Sequence, residues 1–304
     1  MTLHRLQFRA MGSDMLAVVE SESAPSLLAQ VPAWFEEWEQ VLSRFRFDSE
    51  LTRLNQIHDQ PVQVSDTLWD VFQAAREAEQ RTSGLVTPTV LDAIIEAGYD
   101  RPFDVLPDQT KPKSARVSGT FQPLTAIAVD PSARTITLPQ GLGLDFGGVA
   151  KGWAAHQAMK RLQAEGPALM DAGGDIAVSG PRTDGSPWQI GVANPFHADQ
   201  EIETLYLNQC GVATSGKNRR RWKQGDRLQH HIINPLTRQP AETNVLTATV
   251  IAPTVMEAEA AAKTAVILGS QYGLAWIECD SILAGLFVLE DRQVLYSERM
   301  EEYL

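Results

Sequence analysis

The stretch Asp145-Phe146-Gly147-Gly148-Val149-Ala150-Lys151-Gly152 carries the strongest signal in this chain. A strand-like segment leads into it, and the amphipathic segment Trp153 to Leu162 that follows predicts a helix. Glycine lacks the Cβ that keeps a backbone away from a ligand, and the first amides of a helix favour an anion. The stretch therefore predicts a loop that brings the main chain and Lys151 close to a phosphate. Its spacing matches neither the phosphate-loop pattern nor the dinucleotide-binding fingerprint.

The composition is that of an ordinary globular protein, with 304 residues of which 43% are hydrophobic and 21% are charged. This length permits one large domain or two closely packed lobes. A formal net charge of −12 argues against general nucleic-acid binding, which needs a basic surface. The N-terminus has no apolar segment and no later run reaches membrane-spanning length, so we expect no membrane span and a cytoplasmic location.

Hydrophobic periodicity predicts a chain of mixed α and β structure. Ser49 and Ser65 are expected to be helix N-caps, and Pro88 suits the first turn of a helix. The predicted helices span residues 25–45, 49–55, 65–81, 88–97, 153–162 and 254–268. The predicted strands span residues 5–9, 14–20, 126–129, 135–138, 168–170, 175–178, 188–192, 204–207, 247–252, 282–289 and 294–297.

Three further segments carry residues suited to binding phosphate or moving protons. Gly173-Gly174 after a strand permits close approach of a ligand, or forms a tight turn between two strands. Thr214-Ser215-Gly216 after a strand, followed by Arg219-Arg220-Arg221, could bind phosphate oxygens or be a solvated loop. In His230-His231, strand alternation lets only one imidazole face a site, and the other is then structural.

Glu259 and Lys263 lie four residues apart on the helix that follows strand 247–252. By itself this spacing is typical of a surface ion pair, which stabilises a helix by only a few tenths of a kcal/mol. The spacing alone therefore predicts no site.

Taken together and in order, these segments resemble the ApbE family of FAD:protein FMN transferases. The likeness covers nearly the whole chain. It is carried by Phe8-Arg9-Ala10-Met11-Gly12-Ser13, Ser43-Arg44-Phe45, Ser49-Glu50-Leu51-Thr52-Arg53-Leu54-Asn55, Pro88-Thr89-Val90, residues 145–152, Ala172-Gly173-Gly174-Asp175, Thr214-Ser215-Gly216, His231-Ile232-Ile233-Asn234-Pro235 and residues 247–269.

The resemblance implies a transferase that uses FAD and a divalent cation, usually Mg²⁺. Such enzymes attach FMN to a threonine hydroxyl of an acceptor protein through a phosphoester bond, and AMP leaves. The implied fold is α+β: a single domain over residues 1–304 with two interdigitated lobes of mostly antiparallel sheet covered by helices. FAD would lie in the cleft between the lobes, and we expect a lobe junction near residues 100–123, which are rich in Pro, Lys, Ser and Gln.

The resemblance also implies roles for individual residues. Those expected to contact the flavin or its ribityl chain are Met11, Asn55, Gly173 and Gly174, and Asp175 joins them as a cofactor-binding residue. The diphosphate cradle would be Asp145, Gly147, Gly148 and Lys151, and the nucleotide pocket would include Thr214, Ser215 and Gly216. The metal ligands would be the Ala150 carbonyl and Glu259. His231 would be the general base or would otherwise assist the attacking hydroxyl, and its ordinary pKa near neutrality suits that work.

This sequence departs from the family pattern at the metal-binding helix. Glu259 stands where the family has Asp, and Lys263 stands where it has Thr. An ammonium has no lone pair and cannot ligate a metal. Two hypotheses follow: Lys263 neutralises the diphosphate in place of the metal, or transfer is lost and the chain is a flavin-binding relative. A non-catalytic scaffold is a third hypothesis. Further departures are Thr87 and Asn234, each in place of Asp, and the run 218–221 in place of an aspartate–tyrosine pair.

Overall fold

The chain alternates between short strands and amphipathic helices, as the periodicity predicts. The structure is a computed structural model that describes residues 1–110, 121–197 and 199–304. Residues 111–120, which form much of the expected lobe junction, lie outside the described residues, so that junction stays a prediction. In the described part of the chain, no helix is both long enough and apolar enough to cross a membrane.

The strands in the described residues follow the predicted positions, with β3 and β4 as additional strands in the first half and β11 to β15 in the second. They are β1 (Thr2–Ala10), β2 (Ser13–Ser21), β3 (Val62–Gln63), β4 (Gln109–Thr110), β5 (Ala128–Asp130), β6 (Thr135–Thr137), β7 (Ala168–Ala172), β8 (Asp175–Val178), β9 (Trp188–Ala193), β10 (Glu201–Leu207), β11 (Gly211–Gly216), β12 (Arg221–Gln224), β13 (Arg227–His230), β14 (Ile233–Asn234), β15 (Gln239–Pro240), β16 (Val245–Ala252), β17 (Ala284–Leu289) and β18 (Val294–Tyr296).

The helices confirm the predicted positions, with several ends shifted by about three residues and larger shifts at the start of α1 and the end of α6. They are α1 (Val31–Leu42), α2 (Glu50–Leu54), α3 (Asp66–Arg81), α4 (Leu91–Glu96), α5 (Ala150–Leu162) and α6 (Val255–Glu278). Short 3₁₀ turns cover Leu28–Gln30, Pro88–Val90, Phe103–Val105, Leu124–Ala126, Gln163–Glu165 and Glu298–Tyr303.

Two predicted helix ends were wrong for local reasons. The helix expected from residue 25 begins at Val31, because Pro32 has no N–H and its ring would clash with a preceding helical turn. The helix expected to stop at residue 268 continues to Glu278, but Gly269 is non-helical with φ 80° and ψ 174°. α6 is therefore two helical segments joined at a kink.

The chain forms two compact units, each assembled from separate segments. The first contains residues 1–35, 151–218 and 243–304, and the second contains residues 36–150 and 219–242. Within the first unit, an eight-stranded antiparallel sheet has the order β1-β2-β7-β8-β11-β16-β17-β18. β17 is buried along its whole length and β16 along most of its length, as expected of strands covered on both faces.

One side of this sheet shares an apolar core with the hairpin formed by β9 and β10. Val212, Ile251 and Leu286 of the sheet belong to the same buried cluster as Trp188 and Leu205 of the hairpin. α6 packs on β11, β16 and β17 and supplies buried alanines to the interior. This packing fixes α6 against the centre of the sheet.

The second unit combines α2, α3 and α4 with small sheets. The strand orders are β3-β6-β5 and β13-β12-β4, and β14 pairs with β15. All these pairs are antiparallel except β12 with β4, which is parallel. Ser49 and Ser65 cap α2 and α3 as predicted, each accepting a hydrogen bond from a first-turn amide. The observed elements confirm the expected α+β class with mostly antiparallel sheets.

The N-terminus of α6 is fixed by a capping box, and this predicts a stability effect. The Thr254 hydroxyl accepts from the Glu257 amide at 3.2 Å, and the Glu257 carboxylate accepts from the Thr254 amide at 3.0 Å. Thr254→Ala should lower the free energy of unfolding by about 1 kcal/mol, because it removes the acceptor for an N-terminal amide. Urea denaturation measures this, with Thr254→Ser as the matched control. Equal stability of Thr254→Ala and the parent would contradict the role of the cap.

Candidate active site

Two turns and one strand end that carry predicted cofactor-binding residues lie side by side at one end of the eight-stranded sheet. The register pairs Met15 with Ala172 and Asp175 with Ala213. The turn after β1, the turn between β7 and β8, and the C-terminal end of β11 are therefore neighbours. The Thr214 amide donates to the Gly174 carbonyl at 3.2 Å, which joins two of them directly. The strand register thus brings together Met11, Gly173, Gly174, Asp175 and Thr214-Ser215-Gly216.

The Gly173-Gly174 turn needs glycine for steric reasons. Both residues have positive φ, 70° and 97°, which side chains rarely adopt. A Cβ on Gly173 would lie 2.7 Å from the Ser13 Cβ, too close for any other residue. The Gly174 amide donates to the Asp171 carboxylate at 2.7 Å. The segment is the tight turn that its sequence allows, and its contact with flavin stays a prediction.

The Thr214-Ser215-Gly216 segment is not a loop after a strand but the last half of β11. Its residues pair with Thr249, Ala248 and Thr247 of β16, which explains why no separate loop forms. The Thr214 side chain is exposed and its hydroxyl lies 2.9 Å from the Thr249 hydroxyl, whereas Ser215 is buried. Strand alternation therefore leaves Thr214, rather than Ser215, at the surface.

A buried ionic cluster surrounds Glu259, and we name it the Glu259 cluster: Lys151, Asp175, Glu259 and Lys263. Lys263 donates to Glu259 Oε1 at 3.2 Å, and Lys151 Nζ lies 3.8 Å from the same oxygen. Lys151 also forms an ion pair with Asp175. The side chains of Glu259 and Asp175 are 2% and 3% exposed, and both lysine side chains are 16% exposed. The spacing of Glu259 and Lys263 is typical of a surface ion pair, but here the pair belongs to a mostly buried cluster. The reason is that the first half of α6 packs on the sheet.

Gly152 is the backbone member of this arrangement. Its amide donates to Glu259 Oε2 at 3.0 Å, and a Cβ at this position would lie 2.6 Å from that oxygen. The last glycine of the opening stretch is therefore required so that the first turn of α5 can touch Glu259.

The pKa of the Glu259 carboxyl is raised above its ordinary value, mainly because burial disfavours the charged form. The Asp175 carboxylate raises it further, whereas Lys263, Lys151 and the Gly152 amide favour ionisation. The two lysines therefore compensate the negative charge of Glu259 in a poorly hydrated place. Removal of either ammonium would leave a carboxylate that neither water nor a counter-ion solvates well.

The residues around Glu259 do not fit a magnesium ion. Mg²⁺ requires near-octahedral oxygen ligands at about 2.0–2.1 Å, and Lys263 offers N–H donors without a lone pair. Both Glu259 oxygens already accept hydrogen bonds, one from Lys263 and one from Gly152. Among the described residues, no group of three or more His, Cys, Asp or Glu side chains could hold a metal ion. Metal ligation by Glu259 and the Ala150 carbonyl stays a prediction that this arrangement does not favour.

In the second unit, the glycine stretch is fixed by hydrogen bonds on both sides of Asp145. Asn55 and Leu144 exchange a reciprocal pair of hydrogen bonds at 2.8 Å. The Asp145 amide donates to the Pro88 carbonyl at 2.8 Å, and the Asp145 carboxylate accepts from the Gly147 amide at 2.7 Å. Gly147 and Gly148 form a turn that leads into Ala150, the first residue of α5. Asn55, Asp145 and Gly147 therefore form one hydrogen-bonded group.

Arg44 is a residue of this group that sequence reasoning missed. Its Nε lies 2.8 Å from Asp145 Oδ2, and it donates to the Tyr99 carbonyl at 2.9 Å. Its guanidinium lies 4.0 Å from the Phe45 ring centroid and 4.9 Å from that of Tyr99, within cation–π range. Tyr99 in turn packs against Trp222. The Ser43-Arg44-Phe45 match was a signal, but nothing in the sequence pairs it with Asp145, 101 positions along the chain (145 − 44).

The two adjacent histidines are distinguished by their surroundings. His230, at the end of β13, is buried, with Nε2 3.0 Å from the Ala241 carbonyl and Nδ1 accepting from the Ile232 amide. These two partners require the neutral form with the proton on Nε2. His231 lies in the connection between β13 and β14 and is partly exposed. His230 is therefore the structural member of the pair.

Comparison with known proteins identifies the family to which this chain belongs. The glycine turns, whose amides donate to carboxylates, lie on an α+β framework. The model of the ApbE family matches residues 11–287, and the chain belongs to this family.

Two curated relatives are named FAD:protein FMN transferase. The Vibrio cholerae protein is 28% identical over 88% of this chain and 80% of its own, and the Treponema pallidum protein is 29% identical over 88% and 78%. In fold, the chain is similar to the crystal structure of the ApbE protein from Thermotoga maritima, with a TM-score of 0.87, 24% identity and 99% coverage of both chains. The flavin transferase ApbE from Vibrio cholerae gives a TM-score of 0.79 at 24% identity, covering 100% of this chain and 99% of that one.

The buried pair of Arg44 and Asp145 predicts a large effect of substitution. Their side chains are 7% and 11% exposed. Arg44→Ala should lower the free energy of unfolding by about 3–5 kcal/mol, because it leaves Asp145 buried without its cation. Urea denaturation of the full chain measures this. Arg101→Ala, which breaks an exposed pair with Asp100, is the matched control and should leave the denaturation midpoint nearly unchanged. Equal midpoints for the two variants would show that Arg44 does not hold the loop.

Proposed function

We propose that this protein is a FAD:protein FMN transferase. Membership of the ApbE family over residues 11–287 carries this proposal, and the curated relatives bearing that name support it. The glycine stretch supports it as well, because the amides of Gly147 and Gly152 donate to carboxylates that hold the stretch in place. A loop fixed in advance loses little conformational freedom when it receives a diphosphate.

The finer proposal is that the acceptor group is a threonine hydroxyl of another protein. Its oxygen attacks the phosphorus on the FMN side of the FAD diphosphate and forms a phosphoester bond. The bond from that phosphorus to the bridging oxygen breaks, and AMP leaves with the bridging oxygen. The proton of the hydroxyl passes to His231.

The assignment of His231 as the base rests on the resemblance of residues 231–235 to the histidine motif of the family. His230 is committed to two backbone partners, whereas His231 lies in a connection between strands. General bases of this type contribute about 10²- to 10⁴-fold to rates. Met11, Asn55, Gly173, Gly174 and Asp175 are proposed to hold the flavin part of FAD. Thr214, Ser215 and Gly216 are proposed to hold the nucleotide part, and Asp145, Gly147, Gly148 and Lys151 the diphosphate.

A second candidate is a flavin-binding relative that has lost transfer. The observation that favours it is the Glu259 cluster, which occupies the family's metal-binding position with a lysine. The two candidates differ in their products, because only a transferase couples AMP release to protein-bound flavin.

The first experiment combines the purified full chain, FAD and a protein extract of cells that carry its gene. In-gel flavin fluorescence after denaturation detects covalent flavin, and mass spectrometry of the fluorescent band locates FMN on a residue. A transferase gives FMN on threonine together with AMP. Free FMN and AMP without labelled protein would indicate FAD hydrolysis, and bound but intact FAD would favour the second candidate.

Substitution of the proposed base gives a sharper prediction. His231→Ala should reduce the rate of FMN transfer by about 100-fold or more while the Kd for FAD changes by less than about twofold, because a base acts on the acceptor hydroxyl rather than on FAD. Transfer rates come from flavin fluorescence and Kd from titration calorimetry. His197→Ala, at an exposed histidine, is the control. Transfer at the parental rate by His231→Ala would remove His231 from the mechanism.

A further inference from the structure

The Glu259 cluster has a definite polarity. Its two carboxylates are almost fully buried, whereas its two lysines are each partly exposed. The lysine side chains are therefore the more accessible part of the cluster, and the two carboxylates lie behind them.

The same cluster touches the start of α5. Glu259 Oε2 accepts from the Gly152 amide, and Lys151 precedes Gly152 in the first turn of this helix. Two ammonium groups and the first turn of a helix thus lie within one set of contacts, and both features favour a phosphate oxygen. The Gly152 amide holds Glu259 in place among them.

We infer that Lys263, together with Lys151, takes the place of a divalent cation in neutralising the diphosphate of FAD. This inference rests on the proposed function, and it specifies how that function is performed. A lysine ammonium has three N–H donors, so bonds to Glu259 and to a phosphate oxygen are compatible. Glu259 then serves as a positioning residue. Its carboxylate accepts a hydrogen bond from Lys263 and lies near Lys151, and so it orients both ammonium groups.

The inference differs from simple loss of the metal site. In a decayed site, a lysine beside a carboxylate would form an exposed pair of little consequence. Here the carboxylate is buried, a glycine is required at residue 152 for its contact, and a second lysine completes the charge balance. The arrangement is a built site in which two ammonium groups are held by two buried carboxylates.

Titration calorimetry of the full chain with FAD tests this, in buffer with EDTA and in buffer with MgCl₂. The parental Kd should change by less than about twofold between the two buffers. Lys263→Thr should weaken FAD binding in EDTA by about tenfold, the effect of one charge-assisted hydrogen bond. Lys263→Arg keeps the charge and should bind close to the parental Kd. Lys160→Thr removes an exposed lysine from the end of α5 and is the charge control.

A double variant tests the same inference in the opposite direction. Glu259→Asp with Lys263→Thr restores the residue types of the family and should make FAD binding depend on Mg²⁺. No change in its response to Mg²⁺ would overturn the assignment of this helix position.

The titration of the parental protein needs no variant to fold. It distinguishes failure of the role of Lys263 from failure of the proposed transferase function. FAD binding that requires Mg²⁺ would overturn the role of Lys263 and leave the transferase proposal standing. Absence of FAD binding in both buffers would overturn the proposed function itself. Equal binding in both buffers together with a parental Kd for Lys263→Thr would also contradict the inference, because Lys263 would then contribute nothing.

Discussion

The burial of the Glu259 carboxylate is the constraint on which the first unit depends. A carboxylate removed from water is costly unless hydrogen bonds and counter-ions compensate it. Lys263 comes from the same helix, whereas Lys151 and the Gly152 amide come from α5, and Asp175 joins through Lys151 from β8. One buried charge therefore fixes the relative placement of two helices and a strand.

A hydrogen bond from a glycine amide to a carboxylate is found at three glycines in the described residues. Glu259 accepts from the Gly152 amide, Asp171 from Gly174 and Asp145 from Gly147. Each carboxylate holds a segment that would otherwise be conformationally free, since glycine has the largest backbone entropy of any residue. For Asp145 and Glu259 a cationic side chain holds the carboxylate in turn, Arg44 and Lys263 respectively. The glycine segments are thus pre-organised by charge.

Local features of the sequence predicted local structure well. Ser49 and Ser65 cap helices because their hydroxyls accept hydrogen bonds from first-turn amides. The hairpin turns lie at Met11-Gly12 and Gly173-Gly174, where positive φ is needed. Periodicity did not predict whether a side chain is exposed or buried where tertiary contacts determine its burial. The spacing of Glu259 and Lys263 is the same on an exposed or a buried helix, and only the packing of α6 on the sheet distinguishes the two.

The candidate site was predicted through resemblance more than through spacing. The register of the sheet brings Met11, Gly173, Asp175 and Thr214 together. This register cannot be predicted from the four segments taken separately. Arg44 shows most clearly what the sequence could not predict, because its role depends on its contacts with Asp145 and Tyr99. Short segments carry the identity of the residues, but the fold supplies their partners.

The central claim is that lysine, and not a metal ion, holds the charge balance at Glu259. The most direct measurement is a crystal structure of the full chain grown with FAD and MnCl₂, with anomalous scattering recorded at the manganese edge. The account predicts no anomalous peak within coordination distance of the Glu259 carboxylate, and a diphosphate oxygen in contact with Lys263 Nζ. A manganese peak at Glu259, with Lys263 displaced from it, would contradict the account.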